Sequence, residues 1–193
     1  MSRRASDEEL MARVKRGDAD AFGELFDRYR RPIFTFIYRM IGDYHRAQDL
    51  LQETFLRVFR RAGEFDESRR FPPWIYRIAR NLCLDEIRRR ERVEIVPLEE
   101  ASELRCGGRP DRDVEADEAE RMVERALALL PEGQREVLLL RDSLGLSYEE
   151  IAEATGASVP AVKSRLHRAR VALKEMLKPC LTSGEIPGKG ERG

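Results

Sequence analysis

Apolar residues recur at helical spacing along most of the chain. In the first half, four apolar stripes cover residues 21–29, 33–41, 50–59 and 74–87. Residues three and four apart share one face of a helix, so each stripe predicts an amphipathic helix, and no alternating run predicts a strand. Pro32 is expected to separate the first two stripes, and Gly42 to close the second. Four helices with short connections predict a compact domain over residues 6–92.

This periodicity is lost over residues 93–115, where acidic residues, prolines and glycines predict a flexible acidic linker. It returns over residues 116–178, which predict a second helical domain. Pro179 is expected to stop the last helix and residues 179–193 to form a disordered tail. The predicted fold class is therefore all-α, with two small helical domains joined by a flexible linker.

Residues 144–170 carry the sharpest local signal, a helix-turn-helix pattern. Ser147 and Glu150 have the spacing of a capping box, and Gly156 suits the left-handed end of a helix. Ser158 can cap the following helix, in whose first turn Pro160 costs no hydrogen bond. Two helices joined by so short a turn predict a helix-turn-helix, against the alternative of an ordinary basic surface helix.

The second helix of such a motif enters the DNA major groove with its first turns near the base edges. Arginine and lysine can donate to guanine, serine to several bases, and cations neutralise phosphate. The candidate contacts are Ser158, Lys163, Ser164, Arg165, His167 and Arg168.

Overall charge does not oppose DNA binding, although Lys plus Arg equals Asp plus Glu at 36 each. Between Pro160 and Lys178 there are six basic residues and one acidic residue, so positive charge is concentrated locally. No apolar run approaches membrane-spanning length and the start lacks a signal-peptide core, which predicts a cytoplasmic protein without membrane insertion. The 3 cysteines are scattered without a CxxC pair, so neither a metal site nor another cofactor is expected.

Two stretches of the first domain are candidates for binding, although each has a simpler alternative. In residues 74–92, Arg77, Arg80 and Arg88 could contact phosphate, and an aromatic such as Trp74 could stack on an unpaired base. The alternative is a core tryptophan beside a solvated charged face, which periodicity alone favours. In the other stretch, residues 49–57, several residues lie away from the deepest apolar stripe. They could form a protein-binding face, and the alternative is a solvated helix face. These residues are Asp49, Gln52, Glu53 and Leu56.

These motifs together resemble the sigma-70 family of bacterial RNA polymerase sigma factors, in its extracytoplasmic-function (ECF) subgroup. In the first domain, residues 49–59 resemble region 2.2 of the family, and residues 71–81 resemble the end of region 2.3 and the start of region 2.4. In the second domain, residues 130–137 and 147–152 resemble region 4, and residues 162–170 resemble its recognition helix. The resemblance covers residues 6–92 and 116–178, and its specificity comes from several motifs in the right order.

The resemblance implies a factor that binds core RNA polymerase and promoter DNA and is itself no enzyme. One segment would dock on the clamp helices of the polymerase β′ subunit. It would contain Asp49, Leu50, Gln52, Glu53 and Phe55. The β flap would be a further polymerase contact. The resemblance also implies control by an anti-sigma factor.

The resemblance assigns one promoter element to each domain. The loop 62–70 and the helix from Trp74 would capture the −10 element as a melted single strand, and the second domain would read the −35 element as duplex. The −10 residues are Trp74, Tyr76, Arg77, Arg80, Asn81 and Arg88. The −35 residues are the six candidates of the helix-turn-helix. Many members carry Gly-Thr where this chain has Pro160 and Ala161, so relatives do not predict its promoter sequence.

Two other function classes remain open at this point. A helix-turn-helix regulator could act on duplex DNA without sigma activity, but it would not need the motifs of the first domain. A nucleic-acid enzyme, such as a recombinase, would need a catalytic constellation. The chain has no P-loop, HExxH motif or zinc cluster, and its 2 histidines, His45 and His167, are each expected at the surface.

Overall fold

The computed structural model describes the backbone of residues 5–94 and 114–182, and the side chains of residues 5–92 and 121–178. Every regular element in these residues is helical, so the all-α prediction is confirmed. The helices are α1 (Asp7–Lys15), α2 (Ala19–Ile41), α3 (Tyr44–Arg60), α4 (Phe71–Glu94), α5 (Val114–Ala128), α6 (Glu132–Leu138), α7 (Tyr148–Thr155) and α8 (Val159–Thr182). A 3₁₀ turn (Ala62–Glu64) follows α3, and a π-helical segment (Leu139–Ser143) continues α6. None of these helices is long and apolar enough to cross a bilayer.

The first unit has four helices, as expected, but their bounds differ from those of the four predicted helices. Helix α2 continues through Pro32, so the prediction that this proline separates two stripes is wrong. A proline inside a helix costs about 3 kcal/mol, since it lacks an N–H and crowds the preceding turn. Leu25 before Pro32 and Phe36 after it are both buried in one core, and this shared burial offsets that cost.

Helix α1 was missed because its apolar face is short. Its clearest signal is a capping box, in which Ser6 Oγ accepts from the Glu9 N–H at 3.1 Å and Glu9 Oε2 accepts from the Ser6 N–H at 2.8 Å. This box satisfies two of the N–H groups that a helix start leaves unpaired. Leu10 and Met11 are completely buried and fix α1 on α2.

The second unit begins and ends beyond its predicted bounds. Helix α4 extends to Glu94 and α5 begins at Val114, so both ends of the predicted linker are helical, and residues 95–113 lie outside the described residues. Helix α8 continues through Pro179 to Thr182, so the prediction that this proline stops the helix is wrong. A proline near a helix end removes only one backbone bond, whose carbonyl can be hydrated there. The rest of the predicted tail, residues 183–193, lies outside the described residues.

The two units pack against each other, which the sequence did not predict. Helix α4 of the first unit lies against α7 of the second, and α2 contacts α5, α6 and the π-helical segment. Buried side chains of both units form one apolar cluster, from Ile75 and Tyr76 on one side to Leu146 and Ile151 on the other. Continuous burial of this kind stabilises one arrangement of the two units.

A buried carboxylate holds α4 to the helices before it. The side chain of Glu86 is 2% exposed and binds Arg46, Arg89 and Arg90, each at 3.0 Å. Arg90 also reaches Asp43, which caps the start of α3, at 3.3 Å. Burial alone would raise the pKa of Glu86, but hydrogen bonds from Arg89, Arg90 and Arg46 outweigh it and lower that pKa to about 2.

We predict that Glu86→Gln lowers the free energy of unfolding at neutral pH by about 2 kcal/mol, because charge-assisted hydrogen bonds are lost in a buried place. The folded pKa lies below the ordinary value of 4.5, so the stabilisation is present above that pH and is lost as the pH falls toward about 2. Urea unfolding followed by circular dichroism at pH 7 and pH 3 measures both effects. The exposed Glu91→Gln is the control, and equal acid sensitivity of the wild type and Glu86→Gln would contradict the prediction.

Candidate nucleic-acid and protein interfaces

Helices α7 and α8 form the predicted helix-turn-helix. Ser147 Oγ accepts from the Glu150 N–H at 3.1 Å and Glu150 Oε2 accepts from the Ser147 N–H at 2.8 Å, which completes the capping box. Gly156 ends α7 with φ at 71°, a left-handed conformation that glycine adopts without strain. Helix α8 begins at Val159, so only a short turn separates the helices. The predicted caps and turn are confirmed.

The start of α8 presents one polar face to solvent. Val162, Leu166 and Ala169 are buried and fix this helix on its unit. The opposite side brings together the six predicted DNA contacts, of which Arg165 is half-buried and the others are exposed: Ser158, Lys163, Ser164, Arg165, His167 and Arg168. This set is called the α8 face.

Lys163 and Arg168 of the α8 face make only local contacts and stay accessible, whereas the half-buried Arg165 lies beside Gly133 of α6 and acts electrostatically on Glu136. Arg168 donates to Ser164 Oγ at 3.2 Å, within the same helix. Lys163 Nζ lies 5.2 Å from the ring centroid of Tyr148 in α7, an attraction that orients the ammonium group without neutralising it. Arg170, by contrast, is held by both oxygens of Asp142 at 2.5 and 3.1 Å. The face is therefore suited to a polyanion in a groove.

The start of α4 combines aromatic packing with a basic edge. Trp74 is half-buried, with its ring centroid 5.3 Å from that of Phe65 and 6.0 Å from that of Phe71. Tyr76 is only 3% exposed and meets Phe36 edge-on at 5.8 Å, and its burial raises the pKa of its hydroxyl. Direct contact between Tyr76 and DNA does not fit this enclosed position, which the helical period gives it. Its ring instead supports the surface residues of α4.

The arginines of α4 fall into two groups. Arg77 donates to the backbone carbonyl of Glu153 in α7 at 2.7 Å. Arg80 pairs with Glu136 of α6, whose side chain is 1% exposed, and burial raises the pKa of Glu136 while Arg80 acts in the opposite direction. Asn81 and Arg88 are exposed. Two of the predicted −10 cations are thus already engaged by the second unit.

The predicted protein-binding segment of α3 mixes core and surface residues. Leu50 is 4% and Phe55 3% exposed, and Phe55 packs edge-on against Phe22 and Phe26 at 6.2 and 4.7 Å between ring centroids. A partner could not reach these two side chains without unpacking the helix. Leu50 and Phe55 therefore hold α3 in place, and within the predicted docking segment only Asp49, Gln52 and Glu53 are open to a direct contact, which stays a prediction.

The exposed side of α3 carries two apolar residues: Leu56, which the sequence already assigns to the candidate protein-binding face, and Phe59, which it does not. Leu56 is 48% and Phe59 56% exposed, and they lie one turn apart beside the predicted polar positions. The apolar stripe over residues 50–59 predicts that Phe59 is buried, but more than half of this side chain is exposed. The helical period carries no signal for this difference, because Phe59 lies four residues after the buried Phe55 on the same side of α3, and its ring centroid is 5.4 Å from that of Phe22. The α3 face is defined here as Asp49, Gln52, Glu53, Leu56 and Phe59.

Local ion pairs keep the polar part of the α3 face ordered. Asp49 is exposed and Arg46 lies 3.4 Å from it, while Glu53 receives a hydrogen bond from Arg57 at 2.8 Å. Exposed pairs of this type contribute little to stability and are easily exchanged for a partner's charges. Two apolar side chains flanked by carboxylates form a surface suited to a basic, amphipathic partner helix.

The described residues hold no group of three or more histidine, cysteine or acidic side chains that could bind a metal ion. Cys83 is buried, and burial raises the pKa of its thiol, which makes it unreactive. The other two cysteines lie where side chains are not described.

We predict that Phe55→Ala lowers the free energy of unfolding by about 3–5 kcal/mol, because it leaves a cavity among aromatic rings. Phe59→Ala should cost about 1 kcal/mol or less, since over half of its side chain is already in water. Urea denaturation of both variants measures the difference. Equal losses would show that Phe59 belongs to the core and remove it from the α3 face.

Comparison with known proteins gives matches in both units. A family model for sigma-70 region 2 matches residues 25–93, and one for sigma-70 region 4 matches residues 120–173. The chain is 36% identical over 174 residues to the ECF RNA polymerase sigma factor SigW of Bacillus subtilis, covering 86% of this chain and 93% of that protein. It is 33% identical over 192 residues to the ECF RNA polymerase sigma-E factor of Escherichia coli K12, covering 94% and 99%.

Two solved structures resemble the fold over most of its length. CnrH, in complex with the cytosolic domain of CnrY, matches with a TM-score of 0.70 and 28% identity over 91% of this chain and 99% of CnrH. The sigma factor RpoE of Bartonella quintana, in complex with the anti-sigma factor NepR, matches with a TM-score of 0.67 and 25% identity over 81% and 96%.

Proposed function

Because the chain belongs to the sigma-70 family, in its ECF subgroup, we propose that it binds core RNA polymerase, directs it to particular promoters and helps to melt the −10 element. The observation that carries this proposal is the presence of two different exposed surfaces in one chain. The α3 face is acidic and apolar, which suits a protein, whereas the α8 face is basic, which suits DNA. RNA synthesis itself belongs to the polymerase, so this chain needs no catalytic group.

The α8 face is proposed to read the −35 element as duplex. It lies at the start of the second helix of a helix-turn-helix, the part that reaches base edges in the major groove. Arg165 and Arg168 can each donate two hydrogen bonds to guanine, and Lys163 can neutralise a phosphate. The serines at 158 and 164 can add contacts to bases or backbone.

The α3 face is proposed to dock on the clamp helices of the polymerase β′ subunit. Leu56 and Phe59 would supply the apolar centre of that contact, with Asp49 and Glu53 selecting basic partner residues around it. A further contact, with the β flap, is supported by exposed apolar side chains of the second unit. These are Leu129 at 66%, Val171 at 50% and Met176 at 36% exposure.

The edge of α4 is proposed to hold the melted −10 strand. Unstacking a base costs a few kcal/mol, and stacking on an aromatic ring returns about 1–3 kcal/mol per base. Trp74 offers such a ring, and Arg77, Arg80 and Arg88 can meet phosphates along the same helix. Asn81 is exposed and carries both a donor and an acceptor for a base edge.

Control by an anti-sigma factor is part of the proposal. It is supported by the similarity to RpoE, solved in complex with the anti-sigma factor NepR, and to CnrH, solved in complex with the cytosolic domain of CnrY. A regulator acting on duplex DNA alone is not favoured, because region 2 of the family matches residues 25–93 and such a regulator has no use for it.

We predict that Arg165→Ala and Arg168→Ala each weaken binding to a −35 duplex by about 1–3 kcal/mol where a base contact is lost. The duplex is first selected from random sequences with the intact chain, and affinity is measured by fluorescence anisotropy at fixed salt. Lys174→Ala removes the same charge from an exposed position further along α8 and should leave affinity unchanged. If neither arginine variant differs from that control, the α8 face is not the reading surface.

We predict that the double variant Asp49→Lys and Glu53→Lys loses most of its binding to core polymerase, because reversed charges repel the basic partner. Co-elution of purified chain with core enzyme on a sizing column measures this. A double variant with the same charge change at two exposed positions away from α3, Asp20→Lys and Glu91→Lys, is the control and should bind normally. Wild-type retention by the α3 variant would remove the α3 face from the polymerase contact.

A further inference from the structure

Helix α1 lies outside the α3 face, the α8 face and the edge of α4, yet it contacts both ends of the loop before α4. This loop, residues 65–70, belongs to the stretch that the family resemblance assigns to the melted −10 strand. We propose that Glu8 and Lys15 of α1 are positioning residues for −10 recognition, which fix the two ends of the loop and so determine how well bases are selected. The inference rests on the proposed function, because it concerns the surface assigned to the −10 element.

Lys15 holds the first end of the loop. Its Nζ donates to the backbone carbonyl of Phe65 at 2.8 Å and lies 2.9 Å from the carboxylate of Glu67. The side chain of Phe65 is buried, and its ring centroid lies 5.3 Å from that of Trp74, the aromatic proposed to stack on a base. A hydrogen bond from a charged donor is about twice as strong as a neutral one. Lys15 therefore fixes the backbone at the point where the ring of Phe65 meets Trp74.

Glu8 holds the second end of the loop and also completes the start of α4. Its Oε1 accepts from the backbone N–H of Phe71 at 3.1 Å, and Arg70 lies 3.5 Å from the same carboxylate. The next two residues of α4, Pro72 and Pro73, have no N–H, so Phe71 carries the only N–H group of the first three helical positions. A carboxylate from another helix satisfies this group, and negative charge near a helix start is favourable.

Helix α1 is itself firmly placed, so the two contacts act together. Glu8 and Lys15 are seven residues apart, which puts them on one side of the helix, two turns and about 10 Å apart along its axis. Between them Leu10, Met11 and Val14 are buried in the core of the first unit. The two ends of the loop are therefore held at a fixed separation by one helix of the same core.

Between its fixed ends the loop is exposed and has a defined turn. Asp66 accepts hydrogen bonds from the backbone N–H of Ser68 at 3.0 Å and from its Oγ at 2.7 Å. Asp66, Ser68 and Arg69 are all exposed, so the loop presents polar side chains while its ends stay in place. A surface that is ordered beforehand loses little conformational entropy when it binds, which favours this arrangement for the capture of a base.

Release of either end of the loop would affect base selection more than overall affinity. Cations along α4 would still meet the phosphates of any strand, whatever its sequence. A loop that samples several shapes would fit correct and incorrect bases about equally, because only the fraction of molecules with the fitting shape discriminates between them. The α8 face and the α3 face lie on other helices and would keep their own contacts.

The test measures base discrimination by the full-length chain bound to core polymerase. Single strands that the wild-type complex recognises are first selected from a random pool. The discrimination ratio is the affinity for the best strand divided by that for the same strand with one recognised base changed. Lys15→Met is compared with Arg16→Met, which removes a cation from the adjacent exposed position, and Glu8→Ala with Glu91→Ala, which removes an exposed carboxylate near the other end of α4.

We expect Lys15→Met and Glu8→Ala each to lower the discrimination ratio at least about fivefold, because few molecules keep the fitting loop shape, while both controls keep the wild-type ratio. Lys15→Arg and Glu8→Gln retain a donor and an acceptor, so their ratios should stay within about twofold of the wild type. Hydrogen exchange in residues 65–71 should be faster in Lys15→Met and Glu8→Ala than in the controls. Wild-type ratios in these two variants would overturn the proposal.

Affinity for the −35 duplex separates positioning of the loop from a general effect on stability. It is measured on the same variants by fluorescence anisotropy and should be unchanged, as should co-elution with core polymerase. A loss of −35 affinity as large as the loss of discrimination would also overturn the proposal, because α1 would then support the whole chain rather than the loop. Failure of the wild-type complex to select any strand would instead overturn the proposed function on which this inference rests.

Discussion

The ion pair between Arg80 and Glu136 ties the two halves of the molecule together. Glu136 lies in a nearly waterless position on α6, where a carboxylate without a cation would be costly, and that cation comes from α4 of the other unit. Helix α4 consequently serves two purposes, as a wall of the first core and as the surface on which the second unit rests. The same helix carries most of the candidate −10 residues. The contacts that fix the relative position of the units therefore also engage two of those candidate residues, Arg77 and Arg80.

The features that sequence predicted well are local. The capping box of Ser147 and Glu150, the left-handed Gly156 and the stripe through Val162 and Leu166 depend only on residues within a few turns, and the structure has them as expected. The prediction that Pro32 interrupts the helix failed because burial of other residues along α2 offsets the cost of a proline inside it. Leu50 and Phe55 came with a family motif, and such a motif mixes residues that make contacts with residues that hold them in place. The period of α3 could not have separated Phe55 from Phe59, since residues four apart share one side of a helix, and only their burial in the structure distinguishes them.

Packing between the units lay beyond prediction for a physical reason. Periodicity shows which side of a helix is buried but not against which partner. Glu136 and Arg80 are 56 residues apart, and Arg77 and Glu153 are 76 apart, with the unpatterned segment between them. The sequence near Arg77 and Arg80 does not indicate that they are paired. Their acceptors, a backbone carbonyl in α7 and a carboxylate in α6, lie too far along the chain to form a local motif. The resulting asymmetry appears only in three dimensions: Arg77 and Arg80 of α4 bind the second unit, whereas Lys163 and Arg168 of α8 stay exposed.

Promoter selection by this chain would thus divide among three surfaces, with the α3 face holding polymerase, the α8 face positioning it on duplex and the α4 edge receiving the melted strand. The most direct test is transcription of genomic fragments by core polymerase with and without the chain, with the 5′ ends of the RNA mapped. The account predicts new starts that depend on the chain and are all preceded by the same two short elements at a constant separation. Starts identical to those of core enzyme alone would contradict it.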